Sequence, residues 1–481
     1  MNKTLFTNNP PSINMTLVGF GQAGTRMVDR FAAITNKEGK AVYNTLALNS
    51  NDGDLRELKY VPIENQVSLK LGGLGKNPEK AISVLEENEG AKETLKEFIT
   101  QRIRPEDELV LFFAGLGGGT GTSTLVKSIE EFYDHYNKPK IAKELKKIQS
   151  NTTPEDFKSN LQKYKVAAFK KAQESFVKIG VVVTLPVRSD GPDVLRQVND
   201  FASRIWETAK NPAKGIAFVI FADNQYFYDQ WKKLGSNSGS ENYRDFANAE
   251  ICSILHEINT GTNGGGTSVT FDPRDFRRII MEGTGSLVIG KVERDVNQIT
   301  NNRDLVSMFK QSIATSRVHD PIAIEEKDNE TGEVTYSRVH HVGLLSVIDP
   351  KLSSLGSAFL DQAKDEIIEN LPLEGTVFSG YLEEKNKFNC TVYTFFKTQA
   401  LPTRLSKGLV EEYEEFKAKQ RSISYKSETI QQIAATSNDD LDIDIDLEDL
   451  GIQLEEDKNL DDMEIDDIDI DNLDLSDIDI E

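Results

Sequence analysis

The sequence predicts an α/β protein with a doubly wound parallel sheet, then a long central helix, a second α+β domain and a disordered acidic tail. In the first half, short apolar runs alternate with helical patterns such as Thr25–Ile34 and Pro78–Leu95. Alternating strands and helices favour a parallel sheet with ligand loops at the carboxyl ends of its strands. The predicted strands are Met15–Gly19, Ala41–Leu48, Leu109–Ala114, Ile179–Leu185 and Ile216–Ala222.

The second half opens with a helical pattern over Tyr243–Asn259, in which Ile251, Leu255 and Ile258 recur at helical spacing. Beyond it, strand-like runs outnumber helical ones, which predicts an α+β domain. The strands predicted there are Gly285–Val292, His341–Ile348, Thr376–Leu382 and Cys390–Phe396.

These patterns also predict the boundaries along the chain. A disordered N-terminus precedes the first domain, which carries a Lys-rich helical insertion, and a polar C-terminal helix that opens at Pro402 precedes the tail. The predicted segments are 1–12 (N-terminus), 13–242 (first domain), about 134–176 (insertion), 243–260 (central helix), 261–401 (second domain), 402–420 (C-terminal helix) and 421–481 (tail).

The negative charge of the chain is concentrated near its end. The segment Asp439–Glu481 holds 21 Asp or Glu against the single Lys458, a charge of −20 out of −22 for the whole chain. Its repeats of Asp with Ile or Leu cannot bury a core and repel one another, which predicts disorder. The near-neutral remainder predicts no direct binding of nucleic acid. A basic adaptor protein is the kind of partner that the tail would suit.

Cysteine usage and hydropathy predict a cytoplasmic protein. Cys252 and Cys390 lie far apart and match no metal or redox spacing, which favours a reducing compartment. Residues 1–12 lack a signal-peptide pattern. No apolar run approaches the ~20 residues that a membrane helix needs, so we expect no membrane partner.

The most informative motif is the main glycine loop, Gly115-Leu116-Gly117-Gly118-Gly119-Thr120-Gly121-Thr122-Ser123. It follows a predicted strand and opens a helical pattern. Glycines let the backbone approach an anion, and a helix N-terminus offers unpaired N–H groups. Since no Gly-Lys-Ser/Thr follows, the loop is not a P-loop. We predict a phosphate site; the alternative is a flexible hinge between strand and helix.

A second loop, Gly19-Phe20-Gly21-Gln22-Ala23-Gly24, follows the first strand and is called here the first-strand glycine loop. Its Gly-x-Gly-x-x-Gly pattern alone would predict a Rossmann NAD site. Such a site needs an acidic residue at the end of the second strand, where only Asp52 could serve. It would also leave the main glycine loop unexplained.

Both loops, and the order of the motifs around them, resemble the tubulin/FtsZ superfamily of GTPases. In that superfamily the main glycine loop cradles the nucleotide phosphates, and the glutamine that corresponds to Gln22 helps to position magnesium and phosphate. The segment Gly73-Leu74-Gly75-Lys76-Asn77-Pro78, called here the 73–78 loop, matches the loop that approaches the γ-phosphate.

The resemblance implies GTP or GDP and Mg²⁺ as cofactors, with Gln22 as the metal candidate, mostly through water and phosphate. The phosphate-side candidates are Gly21, Gln22, Ala23, Thr25, Asn49, Gly73, Gly75, Asn77, Gly115, Gly117, Gly118, Gly119, Thr120, Gly121 and Thr122.

Later motifs resemble the part of the family site that binds the nucleoside. Pro186 ends the Thr184-Leu185-Pro186 motif, Asp190 falls where FtsZ has a Glu-Gly that contacts the ribose, and Asn224 falls where an asparagine recognises guanine. An amide can both donate and accept at the guanine edge. For the second base contact we prefer Asn248, which keeps the apolar helix positions in phase; Glu250 is the alternative.

The segment Thr270-Phe271-Asp272-Pro273-Arg274-Asp275 resembles the Asn-x-Asp-x-x-Asp loop of FtsZ. In the family these carboxylates enter the nucleotide pocket of the next subunit and position the attacking water. The resemblance therefore makes Asp272 and Asp275 the catalytic candidates, although Thr270 replaces the family asparagine. The alternative is an Asp-Pro turn before a helix that starts near Phe276, with Asp275 as a capping residue.

The resemblance covers about residues 13–400 and implies a GTPase that polymerises head-to-tail, with an active site completed by the next subunit. The Gly21-Gln22 pair, the insertion and the length are most like the divergent plasmid and bacteriophage tubulins (TubZ/PhuZ type). Those cytomotive filaments move or position phage or plasmid DNA or particles. The alternatives are an FtsZ-like cell-division or cell-shape filament GTPase and a non-polymerising GTP-binding regulator.

Overall fold

A ten-stranded sheet forms the frame of the protein. The computed structural model describes residues 9–264, 269–327, 331–384, 388–423, 470 and 473–475. The strands are β1 (Met15–Phe20), β2 (Asn44–Asn49), β3 (Gln66–Ser68), β4 (Leu109–Gly115), β5 (Lys178–Leu185), β6 (Ile216–Asp223), β7 (Ser286–Asp295), β8 (Glu325–Lys327), β9 (Val334–Tyr336), β10 (Val339–Ile348), β11 (Val377–Glu383) and β12 (Asn389–Thr398).

Helices connect these strands. They are α1 (Gly21–Ala32), α2 (Asp52–Arg56), α3 (Pro78–Glu87), α4 (Glu89–Gln101), α5 (Gly119–Phe132), α6 (Lys138–Gln149), α7 (Pro154–Ser159), α8 (Leu161–Ala172), α9 (Pro192–Lys210), α10 (Asn224–Leu234), α11 (Tyr243–Gly261), α12 (Pro273–Met281), α13 (Asn302–Ile313), α14 (Ala358–Asn370) and α15 (Leu409–Ser422).

The parallel half of the sheet has strand order β6-β5-β4-β1-β2-β3. Its central strands are apolar along nearly their whole length because both faces are covered. In β4, Phe113 packs into one core together with Met27 of α1 and Ile254 of α11. The adjacent Phe112 points to the other face, into a core with Phe132 of α5. The doubly wound α/β architecture predicted from the sequence is therefore confirmed.

The second domain continues the same sheet. β7 and β10 both pair antiparallel with β12, and β11 adds to β10 in parallel. A bridge between Val219 of β6 and Ser286 of β7 joins the two halves. β8 and β9 pair separately as a short antiparallel hairpin. These two strands and β3 were not predicted from the sequence, because each is three residues long and none is buried.

The central helix α11 ends at the amino edge of the parallel sheet. The Ser12 amide donates to the Asn259 carbonyl at 2.7 Å, and the Ile13 amide donates to the Asn259 side chain at 2.9 Å. Residues 12 and 13 enter β1, so the carboxyl end of α11 lies opposite the edge where the glycine loops begin. Ser12 is buried. The predicted N-terminal segment 1–12 is thus packed at its end, and residues 1–8 lie outside the described part.

The insertion folds as α6, α7 and α8 around an apolar cluster of its own, which includes Leu145, Phe157 and Phe169. Of the predicted tail, the described residues are 421–423, Ile470 and 473–475. Ile470 and Leu475 are buried in the insertion's cluster, which differs from the disorder expected of the tail as a whole.

Acid should destabilise the fold through His256. This residue of α11 is buried, its Nδ1 lies 2.9 Å from the Tyr43 hydroxyl, and its Nε2 finds no partner among the described residues. Burial lowers the pKa of His256 to about 4, against 6.5 in an unfolded chain. Because the unfolded state binds the proton first, stability is lost as pH falls from 6.5 towards 4.

We expect the His256 contribution to the free energy of unfolding to fall by about 2 kcal/mol between pH 7 and pH 5. Urea unfolding of the protein and of His256→Gln at both pH values measures it. The variant should lose about 2 kcal/mol less than the parent. Equal losses of unfolding free energy in the parent and in His256→Gln would contradict the assignment of this pH dependence to His256.

Candidate functional site

The two glycine loops touch each other through their backbones. Gly21 opens α1 with φ at +62°, a conformation that glycine adopts readily. A Cβ atom there would lie 2.7 Å from the backbone nitrogen of Gly121, and one on Gly24 would overlap the Phe113 carbonyl oxygen. These glycines are therefore required by close approach at the carboxyl ends of the neighbouring strands β1 and β4.

The first turn of α5, in the main glycine loop, suits an anion, although its Gly119 amide already donates to the Gly75 carbonyl. Neither a capping side chain nor an acidic residue occupies that turn. The helix dipole places partial positive charge there. Hydroxyl groups hold the loop: Thr120 contacts the Ser50 hydroxyl at 2.9 Å, and Thr122 donates to the Leu116 carbonyl at 3.1 Å. The arrangement has the donors that a phosphate group needs.

The 73–78 loop folds onto the main glycine loop. The Gly119 amide donates to the Gly75 carbonyl at 2.9 Å, and the Lys76 ammonium lies 3.7 Å from the Asp190 carboxylate. Asn77 accepts from the Lys80 amide at 3.0 Å and so caps α3. Its side chain thus has a structural use beside the predicted phosphate contact, which stays a prediction.

A carboxylate that the sequence analysis did not single out lies beside the first-strand glycine loop. Asp54 of α2 accepts from the Gln22 amide at 3.1 Å and from the Asn49 amide at 3.0 Å. Asp52, two residues earlier, pairs with Lys70 at 2.6 Å, which lowers the pKa of that carboxyl. Two aspartates directly after the second strand were the sequence signal for this cluster.

The predicted base-binding residues lie where α10 and α11 begin. Asn224 is the first residue of α10. Tyr228, one turn later, meets Tyr243 at the start of α11 edge-on, with ring centroids 5.4 Å apart. Partial burial and the nearby Asp190 carboxylate raise the pKa of Tyr243. The sequence analysis did not identify this aromatic pair.

For the second base contact, the structure distinguishes the two candidates by their partners. Glu250 pairs with Arg317 at 2.8 Å. Asn248 lies two residues earlier on α11 and is half-buried. Because the Glu250 carboxylate already pairs with Arg317, Asn248 is favoured as the second base contact. This assignment stays a prediction.

Asp272 is the N-cap of α12. Its carboxylate accepts from the Arg274 amide at 2.8 Å, and the helix begins at Pro273. The expected start near Phe276, with Asp275 as the cap, is therefore wrong: Asp275 lies inside the first turn. Partial burial, and then the charge of Asp272, raise the pKa of Asp275. Asp272 itself is exposed.

These two carboxylates lie at the opposite edge of the sheet from the glycine loops of their own chain. Arg277, in the next turn of α12, pairs at 2.7 Å with Glu108, which immediately precedes β4. The main glycine loop begins at the other end of β4, seven residues away. A strand of that length spans about 23 Å at about 3.3 Å per residue. One chain therefore carries the two halves of the predicted active site at opposite ends.

Relatives with the same fold exist among known proteins. No protein-family model matches the chain. It is 25% identical over 303 residues to the tubulin-like protein TubZ of Bacillus cereus, covering 61% of this chain and 58% of that relative. A GTPγS-form protofilament of TubZ from Bacillus thuringiensis serovar israelensis superposes with a TM-score of 0.64 over 87% of this chain and 94% of that one, at 20% identity. The chain is thus similar to TubZ proteins in sequence and shares their fold, in agreement with the resemblance to the tubulin/FtsZ superfamily.

A further solved structure with a similar fold is CetZ1 from Haloferax volcanii, a GDP-bound monomer. It superposes with a TM-score of 0.54 over 84% of this chain and all of that one, at 18% identity. The chain spans a little over half the length of the curated TubZ relatives that it matches. The predicted resemblance to TubZ-type proteins is confirmed, and the individual site residues stay predictions.

An ion-pair network that no motif predicted lies next to the predicted nucleoside-binding residues. Arg404, buried just before α15, contacts the Asp223 carboxylate at 2.6 Å, the Glu412 carboxylate at 2.9 Å and the Pro186 carbonyl at 2.7 Å. Asp223 also caps α10 by accepting from the Gln225 amide at 2.9 Å. The network therefore fastens the C-terminal helix to the two elements that carry Pro186 and Asn224.

The residues present fit the cofactors that the superfamily implies. Mg²⁺ in nucleotide sites is held by one or two carboxylates together with phosphate oxygens and water. Asp54 provides such a carboxylate beside Gln22, and the adjacent Gly21 closely approaches Gly121 in the first turn of α5. A nucleotide would meet backbone donors at its phosphates and the aromatic and amide side chains of α10 and α11 at its base.

Proposed function

We propose that this protein is a GTP-hydrolysing filament protein that polymerises head-to-tail and whose active site is completed by the next subunit. The observation that carries the proposal is the separation of the glycine loops from Asp272 and Asp275 at opposite edges of one sheet. Stacking two copies end to end brings the carboxylates of one against the loops of the other. Such a heterologous contact does not close on itself and propagates as a filament.

In this mechanism the chain's residues act mainly by position and charge. Backbone N–H groups of the main glycine loop and the α5 dipole stabilise the charge that develops on the γ-phosphate oxygens. Mg²⁺, when bound, supplies further neutralisation of that charge. Asp272 and Asp275 of the neighbouring subunit orient the attacking water and accept its proton. The raised pKa of Asp275 suits the acceptor role.

We further propose that the filament works in the bacterial cytoplasm and moves or positions plasmid or phage DNA or particles. One similar solved structure is described as a type III plasmid segregation TubZ, with a TM-score of 0.55 and 19% identity. In the described part of the chain, no helix is long and apolar enough to cross a membrane. An FtsZ-like division or cell-shape filament is the second candidate, and neighbouring genes would distinguish the two.

GTP with Mg²⁺ should make the purified protein polymerise, because the nucleotide completes the interface between subunits. Light scattering at tens of micromolar protein is expected to rise with GTP and to stay flat with GDP or ATP. GTPase activity per subunit should rise above a threshold concentration. A flat trace with GTP rejects the filament, and activity proportional to protein from the lowest concentration means that one chain holds a complete site.

A further inference from the structure

The last part of the acidic tail returns to the body of the protein. Ile470 is 2% exposed and Leu475 is fully buried, and both belong to the apolar cluster of the insertion. Leu473, between them, packs against the same cluster, and its amide donates to the Ile470 carbonyl at 3.3 Å. The three apolar side chains therefore form one compact contact, called here the tail motif.

The insertion provides a groove that fits this motif. α6 and α8 pack on each other, and Ile141, Leu145, Phe157 and Phe169 line the cluster that receives Ile470 and Leu475. A helical unit of about 40 residues buries too little apolar surface to be stable unaided. The tail motif covers part of the surface that the insertion would otherwise leave open.

Charge favours the same pairing. The insertion, residues 134–176, holds ten Lys against five Asp or Glu, whereas Asp439–Glu481 carries −20. Asp474 of the motif lies near Tyr133, whose pKa is raised by burial and then by that carboxylate. The Lys214 ammonium lies 4.1 Å from the centre of the Tyr133 ring. An acidic, apolar segment thus contacts the apolar cluster of a Lys-rich unit, with Lys214 close by.

We propose that the insertion is a docking site for acidic, apolar peptide segments and that its resident occupant is the tail motif of the same chain. The 46 residues between Ile423 and Ile470 form the tether. The entropy cost of closing a loop grows only with the logarithm of its length. Covalent attachment also gives the motif an effective concentration up to the millimolar range, well above the concentration of the protein itself. The motif therefore docks on its own chain in preference to a second copy.

Hydrogen–deuterium exchange on the full chain with GDP tests the docking. The variant Ile470→Asp/Leu475→Asp places carboxylates in the groove, and peptides from α6 to α8 are expected to exchange about tenfold faster or more. The matched control, Ile443→Asp/Ile445→Asp, adds the same charge to the same kind of repeat outside the motif. The control should exchange like the parent, and equal exchange in all three proteins overturns the proposal.

Two further exchange experiments test the docking site itself and whether its occupant belongs to the same chain. Adding a synthetic peptide of residues 464–481 to the motif variant should restore slow exchange of the insertion, and failure to restore it overturns the docking site. Dilution of the parent protein twentyfold should leave the exchange unchanged. Loss of protection on dilution would identify a second copy as the occupant and overturn docking within one chain.

Discussion

Asp272→Ala is expected to lower GTP hydrolysis by about a hundredfold or more while GTP binding and assembly persist. The carboxylate is exposed and lies at the opposite edge of the sheet from the nucleotide loops of its own chain. Its removal therefore leaves the chain's own pocket intact and deprives the neighbour of a water-positioning group. Phosphate release, nucleotide binding and sedimentation of filaments measure the three properties, and the filaments should persist instead of turning over.

Asp272→Asn is the matched control, because Asp272 also caps α12. Asparagine caps a helix about as well as aspartate, whereas alanine costs about 1 kcal/mol of stability. Asn keeps the bond to the Arg274 amide but removes the charge. If catalysis needs the carboxylate, both variants lose hydrolysis. Normal hydrolysis in Asp272→Asn with loss in Asp272→Ala would reduce the residue to a structural cap.

A mixing experiment tests whether the two halves work across subunits. Gly21→Val should destroy the nucleotide pocket of its own chain, since a side chain at φ +62° would run into Gly121. Such a subunit still presents Asp272. Mixed with Asp272→Ala subunits, it should restore part of the hydrolysis that neither variant performs alone. No recovery in mixed filaments would contradict an active site shared between neighbours.

The central strands could be predicted well from the sequence, because strands that are buried on both faces are continuous apolar runs. β4 was expected at Leu109–Ala114 and runs to Gly115, and β6 was expected at Ile216–Ala222 and runs to Asp223. The glycine loops were equally predictable, since their spacing follows from close backbone approach. β8 and β9 were missed because their three-residue strands are exposed and carry no apolar pattern.

Other errors have local causes. The start of α12 was placed three residues late because the Asp272-Pro273 pair was interpreted as a turn, although an N-cap aspartate followed by proline at the first position is a helix start. Asp54 was passed over because its role depends on a contact with Gln22 across 32 residues. The burial of Ile470 and Leu475 was missed because composition predicts the order or disorder of a whole segment. It does not reveal that a few of its side chains pack against another part of the chain.

The Arg404 network could not be predicted from sequence at all, because it joins residues 181 positions apart. Arg404→Met should cost about 3–5 kcal/mol of unfolding free energy, since it leaves the buried Asp223 carboxylate without its cation and Glu412 with Arg188 alone. It should also weaken GTP binding, because Asp223 caps α10 and the Pro186 carbonyl loses its donor.

Arg188→Met is the matched control. Arg188 also contacts Glu412, at 2.9 Å, but its side chain is 59% exposed, so its loss should cost less than about 1 kcal/mol. Urea unfolding and nucleotide titration of both variants separate the two positions. Equal losses of unfolding free energy in the two variants would mean that burial of the Arg404 ion pairs adds no stability. Unchanged GTP affinity in Arg404→Met would mean that the C-terminal helix does not position Pro186 and Asn224 for GTP binding.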